Sequence, residues 1–162
     1  MIKVKYIGHS DDSKKQELLV KITCPSYLRS QIEVCNSSTL NRTFNLKDTN
    51  NIYIPEKYRN TSYSKKGSSD EAVCVEHQEA LKQEVREHHE AGIKLYEDML
   101  VMGVCKEQAI GVLPQDTIVD FWMTADLEDW VDFILESSTI KTQYEIQHIS
   151  LEIQDIINSK FK

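Results

Sequence analysis

Five histidines are the first candidates for chemistry: His9, His77, His88, His89 and His148 stand in a chain of 162 residues with 26 acids. Glu84 and His88 lie one helical turn apart, a spacing that lets a carboxylate and an imidazole meet one metal ion. A third ligand at a compatible spacing is missing, and adjacent residues such as His89 and Glu90 point in different directions on a helix. The cluster therefore reads as a solvated or interfacial helix face, His148 reads likewise, and no metal is expected. The cysteines, Cys24, Cys35, Cys74 and Cys105, are too widely spaced for a metal knuckle and read as thiols. Cys35-Asn36-Ser37-Ser38 offers nucleophile-capable groups without the Gly-x-Ser-x-Gly turn that would present them, and reads as a structural loop. Glycines stand only at 8, 67, 92, 103 and 111, so neither a dinucleotide-binding fingerprint nor a P-loop exists. Any phosphate would rest on Arg or Lys side chains and helix N-termini. Trp122 and Trp130, with Phe121 and Phe133, read as core or subunit-interface aromatics.

These groups need a scaffold, and the composition supplies one. With 40% apolar and 28% charged residues the chain reads as one globular domain over 1–162, with core enough to fold without disulfides. A net charge of −7 with interleaved bases disfavours polymeric nucleic acid, though not a single small nucleotide. No apolar run approaches the ~20 residues of a membrane span, and Met1-Ile-Lys-Val-Lys-Tyr carries no signal-peptide stretch, so a cytoplasmic protein without membrane contact is expected.

Ile2-Lys-Val-Lys-Tyr-Ile7 and Glu17-Leu-Leu-Val-Lys-Ile-Thr23 read as strands joined by a turn over Gly8-His-Ser-Asp-Asp-Ser13. Residues 24–69, rich in Ser, Asn, Thr and Lys, read as an irregular region with one short apolar stretch, Ile52-Tyr-Ile54. Ser68-Ser-Asp-Glu71 has the form of a capping box for a long helix towards Met102, stopped by Gly103. Its expected packing stripe is Val73, His77, Ala80, Leu81, Glu84, His88, Ala91, Leu95, Met99 and Met102. A short helix over 104–112, a strand Thr117-Ile-Val-Asp-Phe-Trp-Met-Thr124, a helix capped by Asp126 through Leu135, and a last helix over 139–159 complete the reading. That last helix shows Ile140, Tyr144, Ile149, Ile153, Ile156 and Ile157 on one side. Strands first and helices later make the class α+β.

Gly103-Val-Cys-Lys-Glu-Gln-Ala-Ile-Gly-Val-Leu-Pro114 resembles the Gly-Val-x-Arg-Glu-x-Ala-Arg-x-Val-Leu-Pro segment of the flavin-dependent (alternative) thymidylate synthases. The resemblance runs on through Phe121-Trp-Met-Thr124 to Thr142-Gln-Tyr-Glu-Ile-Gln147, which is similar to the family's Ala-Gln-Trp-Glu-Ile stretch. Upstream, Val20-Lys-Ile-Thr-Cys-Pro25, Gln31 and Ile52-Tyr-Ile-Pro55 match further landmarks, so roughly residues 15–157 are covered. The resemblance implies the family's fold, a small sheet packed with a long helix and C-terminal helices, and a homo-oligomer, tetrameric in the family.

The same resemblance implies losses at the ligand site. Where the family has its Arg-His-Arg-x7-Ser signature, which helps hold flavin and dUMP, this chain has Val34-Cys35-Asn36. Two further arginines of the deoxyuridylate site fall on Ile110 and Ser137, two asparagines near the flavin fall on Asp126 and Asp132, and a flavin-contacting histidine falls near Lys15. Each missing arginine forfeits a charge-assisted hydrogen bond of about 1.5–3 kcal/mol, so three such changes weaken anion binding by several powers of ten. The expectation is a divergent member with lost or altered dUMP and FAD binding, acting by protein contacts or regulation. The alternative is an active FAD-dependent enzyme that methylates or otherwise modifies dUMP or a related pyrimidine nucleotide, with Arg42, Asn41 and Ser38 rebuilding part of the nucleotide site. No catalytic residue stands out.

Overall fold

A four-stranded antiparallel sheet, with β1 (Lys3–Asp12), β2 (Lys15–Pro25), β6 (Ile118–Asp126) and β3 (Ser38–Phe44) in that order, organises the computed structural model. It describes all residues except 1, 13–14, 33, 35–36, 45–51, 62–67, 73–74, 140–141 and 162, with backbone alone at 11–12, 15, 39–44, 61, 68–72 and 75. The strands β4 (Arg59–Thr61) and β5 (Ser68–Ala72) form a separate pair. The helices are α1 (Ser26–Arg29), α2 (Val75–Val101), α3 (Lys106–Ala109) running into a 3-10 turn (Ile110–Val112), α4 (Leu127–Ser137) and α5 (Tyr144–Lys160). Strands and helices mix as the α+β class requires.

Period-two alternation builds the core. Leu18, Val20, Ile22 and Cys24 of β2 are buried, as are Phe121, Met123 and Ala125 of the adjacent β6, with Val20 opposite Met123 and Ile22 opposite Phe121. Trp130 and Phe133 of α4 and Ile146, Ile149 and Ile153 of α5 pack on that face. Trp130 Nε1 donates to the Leu18 carbonyl at 3.1 Å, satisfying the indole inside the core. Three of the four aromatics are thus core residues, and Trp122 is half-buried.

Several local expectations give way to strand pairing. Of the turn expected over 8–13, residues 8–12 are strand, β1 continuing to Asp12 with a bulge between Tyr6 and Gly8 that absorbs the change of phase, and Ser13 lies outside the described residues. The irregular region contains α1, β3 and β4. The proposed capping box is β5, where Arg59 pairs with Ala72 and Thr61 with Ser68, and the long helix begins only at Val75. Its end is as read, with Gly103 at φ 86°.

On α2, Gln78, His89, Ile93 and Tyr96 are buried and Leu81, Val85 and Met99 half-buried, whereas His77, Ala80, Glu84, His88, Ala91, Leu95 and Met102 are exposed; Val73 lies outside the described residues. Leu81 and Met99 of the expected stripe keep their inward place, while the rest of it is displaced by one residue, or about 100° around the helix. Gly92 explains the rotation: a Cβ there would lie 2.6 Å from Pro114 Cδ, so the helix turns its narrowest side to the Pro114 segment. Asp126 occupies the N-cap of α4 without a side-chain capping bond. The last helix starts at Tyr144 rather than near 139, and Tyr144 is 62% exposed rather than on the packing side. No helix among the described residues is long and apolar enough to cross a membrane.

Candidate functional site

Three motifs that look unrelated in sequence meet around Glu145. Residues 52–59 pass beside the start of α5, held by the pairing of Ile52 with Thr117 and by the Tyr53 N–H donating to the Asp116 carbonyl at 3.0 Å. This brings Arg59 onto Glu145: Arg59 Nη2 donates to Oε1 at 3.1 Å and to Oε2 at 3.0 Å, with both side chains largely buried. The Tyr53 hydroxyl donates to Glu145 Oε1 at 3.4 Å, and the Arg59 guanidinium lies 4.9 Å from the Tyr144 ring centre. Gln78 of α2 holds the same segment, exchanging 2.8 Å hydrogen bonds with both backbone groups of Tyr58.

Cavities of about 480 and 550 Å³ share Tyr53, Pro55, Lys57, Arg59 and Glu145. Burial, and then the Glu145 carboxylate, push the Tyr27 and Tyr53 phenols well above their ordinary value. They remain neutral near pH 7 and supply no base. The arrangement can position and lock; among the described residues it holds no activated nucleophile. Cys24 is equally inert, burial pushing its thiol from 9.0 up to about 12.

A second cleft, about 370 Å³, opens where α4 ends, lined among others by Gln31, Phe133, Ser137 and Gln143. Gln31, a landmark of the resemblance, and Ser137, a position it places at the deoxyuridylate site, are therefore brought together. Val34, at the signature's first position, is 8% exposed within the hydrophobic core. Ile110 opens the 3-10 turn half-buried, and Asp132 is exposed on α4.

Ser38, Asn41 and Arg42 all lie on β3. Ser38 is exposed and pairs with Thr124; Asn41 and Arg42 fall between the pairs Leu40 with Trp122 and Thr43 with Asp120, two residues against Phe121 alone. The side chains of Asn41 and Arg42, and Cys35 and Asn36 entirely, lie outside the described residues. His89, read as solvated, is instead 2% exposed with Nδ1 3.4 Å from Asp116 Oδ1, a consequence of the one-residue rotation of α2. His88 is exposed at the rim of the 480 Å³ cavity. No group of three or more metal-ligating side chains occurs among the described residues. Arg59, Tyr27 and Asp116 escape sequence reasoning; only the Tyr53 and Glu145 landmarks hint that their neighbourhood matters.

Residues 24–161 match the profile of the thymidylate synthase complementing protein family. The chain belongs to that family. It is 31% identical over 138 residues to the flavin-dependent thymidylate synthase of Thermosipho africanus (strain TCF52B), covering 83% of this chain and 58% of that protein. To the corresponding enzyme of Thermosipho melanesiensis it is 25% identical over 134 residues, with 83% and 57% coverage. The chain thus spans less than two thirds of these relatives' length. Its fold is shared with the UMP/dUMP methylase PolB from Streptomyces cacaoi: TM-score 0.78 at 12% identity, covering 98% of this chain and 89% of that one, for the structure bound with 5-Br UMP. The structure bound with 5-Br dUMP gives 0.74 at 14%, with 98% and 90% coverage.

Proposed function

We propose that this chain is a divergent thymidylate synthase complementing protein that keeps the scaffold, has lost the cationic grip on FAD and dUMP, and acts through protein contacts. The observation that carries this reading is Val34. At the place of the signature's first arginine it is packed in the core with Leu28 and Ile32, and an apolar core side chain offers an anion nothing. Ser137 and Ile110 remove two more guanidinium groups, and Asp126 and Asp132 add carboxylates beside the expected flavin. These residues do not fit a flavin diphosphate or a nucleotide phosphate.

The apolar end of α2, with Leu95 48%, Met102 72% and Val101 88% exposed, supports a protein-contact role. Contact with copies of itself, a homo-oligomer, and a cytoplasmic single domain over 1–162 belong to the same proposal. The competing reading is an active FAD-dependent enzyme on dUMP or a related pyrimidine nucleotide, gripping it through Arg42, Asn41 and Ser38; the retained Gln31 at an open cleft favours it.

Titration of the purified chain with FAD and dUMP, followed by flavin absorbance and fluorescence, separates the two. A colourless protein with no saturable flavin response is expected. A yellow preparation, or tight dUMP binding, overturns the reading.

A further inference from the structure

The 480 Å³ cavity carries a chemistry that the proposed function leaves unused. Three tyrosines, Tyr27, Tyr53 and Tyr58, line it together with the carboxylates of Asp116 and Glu145. It shares no lining residue with the cleft of Gln31 and Ser137, and its volume lies within the range of small-ligand sites. Gln78 fixes the Tyr58 backbone, and so the base of that side chain, through both of its hydrogen bonds.

The two carboxylates differ. Glu145 is taken by Arg59 and Tyr53. Asp116 is barely engaged: Oδ1 meets His89 Nδ1 only at 3.4 Å, and the buried Oδ2 has no hydrogen-bond partner among the described residues. A buried carboxylate oxygen is ordinarily satisfied, so Asp116 leaves one oxygen uncompensated beside the cavity. The phenols sense the field that results. After burial itself, the largest influence on Tyr27 and Tyr53 is Glu145 and on Tyr58 is Asp116; each raises its phenol by more than Arg59 or Arg86 lowers it. Lys57 and His88 also line the cavity, but both are exposed, where solvent screens them.

Negative potential behind aromatic faces favours a cation. Which cation follows from the acceptors. A primary ammonium has three donors to satisfy, and with Glu145 already occupied it would surrender its hydration without replacement. A metal ion needs several ligating side chains, and no group of three occurs among the described residues. A quaternary ammonium needs no acceptor at all, only rings and a nearby negative charge.

We propose that this cavity binds a small quaternary ammonium compound, its cationic head among Tyr27, Tyr53 and Tyr58 and its charge offset by Asp116. The inference goes beyond the proposed function and holds whether or not FAD or dUMP binds.

Calorimetric titration of the full chain with choline and with its neutral tert-butyl isostere, in which carbon replaces nitrogen, tests it. Choline is expected to bind at least about tenfold more tightly, the scale of a desolvated cation–π contact. Asp116→Asn, which keeps the shape of the side chain, should weaken choline at least about fivefold and leave the isostere unchanged. Tyr58→Leu should weaken choline about three- to tenfold, while Tyr58→Phe, which keeps the ring, should stay near the unaltered chain; this pair carries the test should Asp116→Asn not fold. Absence of choline binding, equal affinity for the isostere, or unchanged choline affinity in Asp116→Asn or Tyr58→Leu overturns the proposal. Tighter binding of Nε-trimethyllysine than of choline overturns the assignment to a small compound and points to a methylated protein side chain.

Discussion

Arg59 and Glu145 show how much a single pair can hold and why it is invisible in one dimension. They stand 86 residues apart, with side chains 15% and 8% exposed. Desolvating two charges costs several kcal/mol per ion, so the pair does little net work as a stabiliser while both partners are present. Removing one partner is different, because the other stays buried and uncompensated. Glu145→Leu is expected to cost about 3–5 kcal/mol, whereas Arg59→Met combined with Glu145→Leu should cost much less than the sum of the two single changes. Urea unfolding of the four proteins in a double-mutant cycle measures this. Nothing in the sequence marks Arg59, since its partner lies across the fold, while Tyr53 and Glu145 stand out only as parts of motifs.

At the scale of elements, α2 and its contact with Pro114 decide which helix face is inside. Gly92 costs the helix about 1 kcal/mol in propensity relative to Ala, but a Cβ at that position would sit 2.6 and 2.7 Å from Pro114 ring atoms. Gly92→Ala should therefore destabilise by about 1–3 kcal/mol despite the better helix former. Gly111, where an added Cβ would meet nothing within 4 Å, is the control: Gly111→Ala should be neutral within about 0.5 kcal/mol. Thermal or urea unfolding distinguishes the two. The helix itself is legible from its periodicity and from Gly103, but its face is not: polar His89 and Gln78 sit on the buried side while Leu95 lies outside. The Ser-x-x-Glu pattern at 68–71 misleads for a related reason, because pairing with β4 satisfies the backbone of those residues better than a local cap.

For the molecule as a whole, burial of neutral acids sets the response to alkali. The folded chain holds the Cys24 thiol up to about 12, while the unfolded chain ionises it near 9.0. Tyr27 and Tyr53 are also raised above their ordinary 10.0 by burial. Between these limits the unfolded state binds fewer protons than the folded one, so unfolding free energy falls as pH rises. Stability should be unaffected by these groups below about pH 9 and decline progressively from there towards pH 12, as followed by urea midpoints across that range. Cys24→Ser, which removes one of these titrating groups, should flatten the decline. At neutral pH a thiol reagent should label exposed Cys105 and spare buried Cys24 until the chain unfolds.

Read alone, the 162 residues determined the α+β class, the core strands β2 and β6, the stop of the long helix at Gly103 and the family to which the chain belongs. Those properties live in short-range periodicity and in contiguous motifs, which survive without a partner to define them. Tertiary structure alone decided the buried face of α2, the pairing of 68–72 with β4, the meeting of Arg59 with Glu145 and the cleft shared by Gln31 and Ser137. Apart from the β4–β5 hairpin, each of these joins residues distant along the chain. Their energies come from mutual desolvation and close approach, quantities that have no value until the two surfaces are brought together.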